Sequence, residues 1–288
     1  MAIPGGPLKC VAAIGYADEG ETIWMASGFL YAPAKQRGRS GVFLVTNRHV
    51  IEGFSELVVR LEGASGSSHA DVRVHAAPAG DSPYWVGHPD PEVDIAVTRV
   101  RPAVVKGQSL EADATSQRAA ASRSELKAAG FGEGDAVFVL GFPMGLVDES
   151  LHLAIVRQGT VARCRDVYEG ASPAYLLDVT VFPGNSGSPV FARLPIKSPV
   201  GESALSHSLT LIGIVTSYLS FHDVAYSAAP RRPRVIFEEN SGLALAHPMD
   251  LVDETIDAYW ASRSSRTSAG SSKRVKTKSP QREASGQR

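Results

Sequence analysis

The sequence predicts an all-β protein assembled from antiparallel β-barrels or sandwiches. Two observations carry that expectation: the apolar residues fall in many short strand-forming runs, and turn residues punctuate the gaps between them. A third is the alternation inside the run Val93–Val100, where Val93, Ile95 and Val97 share one side as in a half-buried strand. The 288 residues allow one or two domains. With 43% apolar and 20% charged residues, the chain can bury a sizeable core.

In chain order, Cys10–Tyr16 and Ile23–Tyr31 are short apolar segments split by the acidic turn Ala17–Glu21. Gly41–Thr46 is rich in strand formers and ends at Asn47-Arg48-His49-Val50. Leu57–Leu61 and Ala70–His75 are further strands, separated by Gly63–Ser68. A loop rich in Pro, Gly and Asp, Pro78–Pro91, opens onto Val93–Val100. Residues 101–130 break the pattern, being rich in Ala, Ser and charge, and contain a short helix ending at Gly130. They connect a first β-rich half, about 8–105, to a second, about 131–247, with the connector proper near 106–130. The second half starts with the turn Phe131–Asp135 and the strand Ala136–Phe142. The glycines of that turn enter a strand and not a helix, which speaks against a phosphate-binding loop. Strands follow at Leu151–Val156, Gly159–Arg163, Ala174–Val181, Ser188–Ala192, Leu209–Thr216 and Leu243–Ala246. Asp250 is placed to cap a helix over Leu251–Ser262, with Leu251, Val252, Ile256 and Trp260 available for docking. No internal repeat is evident.

Charge is divided unevenly. Residues 262–288 carry eight Lys or Arg and one Glu, which leaves 21 basic against 29 acidic residues, a net of −8, in positions 1–261. A body of that charge offers nucleic acid no attraction, so any such contact falls to the basic tail 262–288. The tail has almost no large apolar residue and is expected to be disordered. The N-terminus lacks the charged lead and apolar core of a secretory signal, and no run approaches the 18 apolar residues of a membrane span. Two distant cysteines, Cys10 and Cys164, do not make a disulfide framework, and a cytoplasmic setting is the simplest expectation.

The chemistry concentrates at Phe182-Pro183-Gly184-Asn185-Ser186-Gly187-Ser188-Pro189, a rigid turn between extended segments. Such a turn holds the Ser186 hydroxyl out of the sheet and leaves the amides of Gly184, Asn185 and Ser186 to point at an anion, as acyl-transfer chemistry requires. A plain Gly/Ser-rich hairpin would read the same in isolation. His49, just past a strand, and Asp94, early in another, are equally weak alone: a lone histidine is usually a surface or core residue, and Asp before a strand is commonly a turn residue.

Together the three carry a resemblance. Thr46-Asn47-Arg48-His49-Val50 resembles the histidine box of chymotrypsin-fold serine peptidases, particularly the HtrA-like and bacterial trypsin-like branch. Asp94-Ile95-Ala96-Val97 resembles their aspartate box, and Gly184-Asn185-Ser186-Gly187-Ser188-Pro189 their nucleophile box, with Ser188 where a second Gly is usual. The order His, Asp, Ser is that of chymotrypsin and not of α/β-hydrolases or subtilisins. Gly141–Gly145, Leu211–Val215 and Gly242–Pro248 add secondary similarities, and the whole covers roughly residues 8–261. The resemblance implies two antiparallel six-stranded β-barrels with a C-terminal helix. It also implies a serine endopeptidase acting through an acyl-enzyme, with Ser186 as nucleophile, His49 as general base and Asp94 orienting the imidazole. The oxyanion hole would come from the turn Gly184–Ser186, and a protein or peptide would be the substrate. No metal and no cofactor is implied.

Departures from the family pattern sharpen these expectations. Val50 stands where secreted trypsins carry a disulfide-forming Cys, and Asn185 replaces the Asp that pairs with a new N-terminus in zymogen-activated relatives. The chain is therefore expected to act without a trypsin-style propeptide switch, and to lack the PDZ domain that often follows the helix in HtrA relatives. By position in the family, the primary specificity pocket would be built by Thr180, Thr216, Ser217, Tyr218 and Gly242, none of them acidic. Asp178 lies two residues before Thr180. Cleavage after small or medium uncharged residues is the expectation. The alternative to an enzyme is an inactive peptidase fold that serves as a protein-binding scaffold.

Overall fold

Apolar strand-forming runs, several of them buried on both faces, build both halves of the molecule, and a computed structural model describes residues 3, 5–34, 39–62, 69–76, 85–100, 114–195, 207–226 and 233–271. A short helix α1 (Gly5–Lys9) leads into β1 (Val11–Asp18) and β2 (Glu21–Ala32). Their two-residue turn, Glu19-Gly20, has φ of 45° and 93°. Positive φ at both positions gives the turn the twist of the flanking strands, and Gly adopts it without strain at the second. The strands β3 (Val42–Thr46), β4 (Glu56–Glu62), β5 (His69–His75), β6 (Val86–Gly87), β7 (Ala96–Val100) and β8 (Thr115–Ser116) complete the first sheet. Its order is β5-β4-β1-β2-β3-β7-β6, with β8 alongside β2. The expected two-barrel architecture is present with two differences. The first sheet has eight strands where six were expected. Among the described residues this sheet is a curled half-barrel and not a closed ring.

The second half does close. Strands β9 (Ala136–Gly141), β10 (Ile155–Arg163), β11 (Tyr175–Asp178), β12 (Pro189–Pro195), β13 (His207–Tyr226) and β14 (Pro233–Pro248) form a barrel in the order β10-β11-β14-β13-β12-β9. Alternation along β9 shows how the halves share one wall. Val137 and Val139 point into the barrel, while Phe138 and Leu140 pack into the core of the first half. Each large side chain buried in this way stabilises by about 1.5–3 kcal/mol.

Helices are few. α2 (Arg48–Ile51) follows β3 directly. In the connector, α3 (Arg123–Ala128) starts with a capping box between Ser122 and Glu125 and ends before Gly130 at φ 75°. α4 (Arg165–Tyr168) is a single turn. α5 (Met249–Ser271) lays Leu251, Val252, Ile256 and Tyr259 on the first half, where Phe43 meets the Tyr259 and Trp260 rings edge-on at 5.2 and 5.9 Å.

Several sequence expectations need correction. α5 continues to Ser271, so the first ten residues assigned to a disordered tail are helical, and 272–288 lie outside the described residues. Asp250 accepts from the backbone N–H of Arg123 and so anchors the start of α3. Leu151–Ala154 is not a strand; Ile155–Arg163 is one continuous strand where two were expected. Leu219–Asn240, for which the sequence shows no strand pattern, is the outer part of the β13–β14 hairpin, with residues 227–232 outside the described ones.

Candidate active site

Three structural elements converge. Strand β3 ends at Thr46, and the α2 turn that follows carries His49. The loop between β6 and β7 carries Asp94, two residues before the strand itself, and the turn between β11 and β12 carries Ser186.

His49 and Asp94 are joined directly. The His49 Nδ1–H donates to Asp94 Oδ2 at 2.5 Å, and the His49 backbone N–H donates to Asp94 Oδ1 at 3.0 Å. Burial alone would raise the Asp94 carboxyl. The hydrogen bond and charge of the His49 ring, with backbone N–H groups of His49 and Arg48, outweigh it and hold the group below its ordinary value. Asp94 is thereby kept ionised, and the imidazole is fixed with Nε2 turned away from it.

The Asp94 loop is held by residues the sequence did not single out. Arg48 donates to the carbonyls of His88 at 2.6 Å and of Asp90 and Val93 at 3.3 Å, so one guanidinium gathers the loop. Asn47 Nδ2 donates to Asp94 O at 2.7 Å. From the second half, buried His247 accepts the Asp94 N–H on Nε2 at 3.2 Å.

The Ser186 turn is two consecutive tight turns. The Asn185 N–H donates to Phe182 O at 2.9 Å and the Ser188 N–H to Asn185 O at 2.9 Å. Asn185 is therefore not a free amide, which removes it from the oxyanion set expected from sequence. No acceptor among the described residues takes the N–H groups of Gly184 and Ser186. The Pro183 carbonyl accepts the Met144 N–H at 2.5 Å, and in a trans peptide this turns the Gly184 N–H the opposite way. Gly184 sits at φ 98°, where a Cβ would run into Phe142 O and stand 2.8 Å from Met144 N. Only glycine fits.

Ser27 on β2 ties this turn to the first half. Its N–H donates to Ser186 O at 2.8 Å, its hydroxyl donates to Gly184 O at 2.7 Å, and the Phe142 N–H donates to that hydroxyl at 2.9 Å. Thr46 Oγ1 donates to Ser27 O at 2.8 Å, which links the end of β3 to the same residue. The Ser186 turn and the strand leading to His49 thus flank one buried serine. No hydrogen bond joins Ser186 Oγ to the His49 ring among the described residues.

Beside Ser186 lies a cavity of about 240 Å³ walled by Val181, Phe182, Val215, Ser217 and Tyr218. Of the expected pocket residues, Ser217 and Tyr218 line it. Thr216 is buried with its hydroxyl on Leu245 O, Thr180 is exposed opposite Gly242, and neither they nor Gly242 reach the lining. Asp178 is exposed on β11 and contributes no carboxylate to the cavity. No group of His, Cys, Asp and Glu among the described residues has metal-holding geometry, and no helix of the described residues is long and apolar enough to cross a membrane.

Comparison with known proteins falls on the same region. The protease domain of MamO from Magnetospirillum magneticum aligns over 86% of this chain and 95% of its own, at 13% identity and a TM-score of 0.44. The Drosophila Grass clip serine protease of the Toll pathway aligns over 90% and 71%, at 13% identity and a TM-score of 0.49. No curated protein sequence matches. The family model for a trypsin-like peptidase domain matches residues 26–194, a span that is more than half of the chain and contains His49, Asp94 and Ser186. The chain belongs to the trypsin-like peptidase family.

Proposed function

We propose that this protein is a serine endopeptidase of the HtrA-like, bacterial trypsin-like kind. The observation that carries the proposal is the His49–Asp94 pair, with Nδ1 and Oδ2 2.5 Å apart, set beside a turn whose Gly184 and Ser186 amides lack acceptors. In the proposed reaction His49 Nε2 takes the Ser186 proton as Oγ attacks the scissile carbonyl. The oxyanion that forms accepts from the Gly184 and Ser186 N–H groups, each worth on the order of 10²–10³ in rate. His49 then returns the proton to the leaving amine, and water hydrolyses the acyl-enzyme by the same steps. Apolar walls without a carboxylate support cleavage after Val, Ala, Leu or Thr, because a buried Lys or Arg side chain would lack a partner. Cys10 and Cys164 are free thiols buried in separate cores, which supports a reducing, cytoplasmic setting.

The missing hydrogen bond between Ser186 Oγ and His49 favours a second reading, an inactive scaffold that binds proteins. A fluorophosphonate probe separates the two. The enzyme labels at Ser186, and labelling disappears in Ser186→Ala without loss of fold. A folded wild-type chain that resists the probe would establish the scaffold.

A further inference from the structure

Behind the His49–Asp94 pair stands a buried imidazole from the opposite half of the molecule. We infer that His247 is a positioning residue for the triad, the clamp by which the second barrel sets where the Asp94 carboxylate sits. The inference rests on the proposed serine peptidase reading and deepens it.

His247 is 4% exposed and lies on β14, paired in register with Ile214. Its ring spans two backbone groups. Nδ1 is 2.9 Å from Pro173 O and Nε2 is 3.2 Å from Asp94 N. A carbonyl only accepts and an amide only donates, so both nitrogens are assigned by their partners. The ring is neutral, with its proton on Nδ1 and its lone pair on the Asp94 N–H. Burial lowers the pKa of His247. The Pro173 carbonyl and Asp94 carboxylate oppose that shift, and His88, itself 3.3 Å from Glu254, reinforces it.

The placement matters because of what Asp94 does with its other groups. Its two carboxylate oxygens take the His49 ring and the His49 backbone, and its carbonyl takes Asn47. These partners, and the Arg48 fork over the same loop, all come from the first half. Among the described residues, His247 supplies the one hydrogen bond that ties Asp94 to the closed barrel. Ser186 belongs to that barrel. The strand before His49 is tied to the Ser186 turn through Ser27 and Thr46, but without His247 the Asp94 loop would lose its own hydrogen bond to the closed barrel, and its carboxylate could shift relative to His49 and the serine. Misplacement by about 1 Å is enough to lose on the order of 10²-fold in rate.

Two substitutions read this directly. His247→Gln keeps an acceptor for the Asp94 N–H, and His247→Phe keeps an aromatic ring without one. Expected is a loss of kcat of about 10²-fold in His247→Phe with little change in KM, and recovery of most of it in His247→Gln. Imidazole ¹⁵N NMR gives a second readout that needs no turnover. Wild-type His247 should show the Nδ1–H tautomer, and the His49 Nδ1–H proton resonance, which reports its bond to Asp94, should shift in His247→Phe and return in His247→Gln. If the phenylalanine variant does not fold, His247→Met is read the same way. Equal kcat in the Phe and Gln variants, or a His49 Nδ1–H resonance untouched by loss of the acceptor, overturns the inference. A wild-type chain inert to fluorophosphonate overturns the peptidase reading instead, and the NMR comparison still decides the role of His247.

Discussion

Asp94 shows how much a single residue's work depends on partners distant in sequence. Its carboxylate holds one tautomer of His49, and its amide and carbonyl are taken by His247 and Asn47. Replacing it with Asn keeps the shape but offers an N–H₂ where Nδ1–H needs an acceptor. We expect Asp94→Asn to lower kcat by on the order of 10⁴-fold with KM little changed, measured on a peptide cleaved after Ala or Val. A drop of less than tenfold would mean that His49 is not oriented by Asp94. Tyr218 makes a second case at this scale. It walls the cavity beside Ser186. Tyr218→Gly should raise kcat/KM for Phe relative to Ala at the cleaved position by about 10-fold, since one apolar group more or less shifts selection by that order. An unchanged preference in a peptide library would remove Tyr218 from the specificity determinants.

At the scale of elements, the turn from Phe182 to Ser188 is held from outside as much as by its own glycines. Ser27 on β2 donates to Gly184 O and accepts from Phe142 N–H, and both contacts are buried. Ser27→Ala leaves the Phe142 N–H without an acceptor, a loss of about 1–3 kcal/mol. It also frees the Gly184–Asn185 peptide beside the proposed oxyanion donors. We expect a lower urea midpoint together with a reduced kcat. Lost stability at full kcat would show that the turn holds its shape without β2. The sequence made part of this legible. The turn itself, the strand before His49 and the docking face of α5 could be read because glycine and proline, a run of strand-forming residues and helical spacing leave local marks. Ser27, Arg48 and His247 could not, because they act on backbone groups brought near only by the closed fold; a buried serine within the apolar stretch Ala26–Tyr31 was the faint signal of the first. The outer β13–β14 hairpin was illegible for a different reason. Phe221, His222, Phe237, Glu238 and Glu239 are all exposed, so no core imposes alternation on that ribbon.

Across the whole molecule, one buried and one half-buried group pull stability in opposite directions as pH changes. His152 wedges between the halves, donating from Nε2 to Val11 O at 2.8 Å beside the Phe142 ring. Burial lowers its pKa from 6.5 to about 4. Asp253 on α5 accepts from the Tyr31 hydroxyl at 3.0 Å. Burial lifts it from 3.8 to about 6, against that hydrogen bond and with help from Asp250, Asp257 and Glu125. Between about pH 4 and 6.5 the unfolded chain binds more protons at His152 than the folded one, so this contribution is lost on acidification. Between about pH 3.8 and 6 the folded chain binds more protons at Asp253, so that contribution is lost as pH rises. Each slope is at most about 1.4 kcal/mol per pH unit, and in the overlap they offset. His247, also lowered by burial, acts in the sense of His152. Asp253→Asn keeps an oxygen for Tyr31 and removes the carboxylate. Because Asp253 is partly exposed, we expect a gain of only about 1–2 kcal/mol at neutral pH. The same variant should lose stability steeply between about pH 6 and 4.5, where the wild type is nearly flat. His152→Phe should do the reverse, weaker at neutral pH and gaining on acidification over the same range. Urea midpoints for the three proteins across that range are the measurement. Parallel pH profiles would mean that neither group carries a shifted pKa in the folded chain.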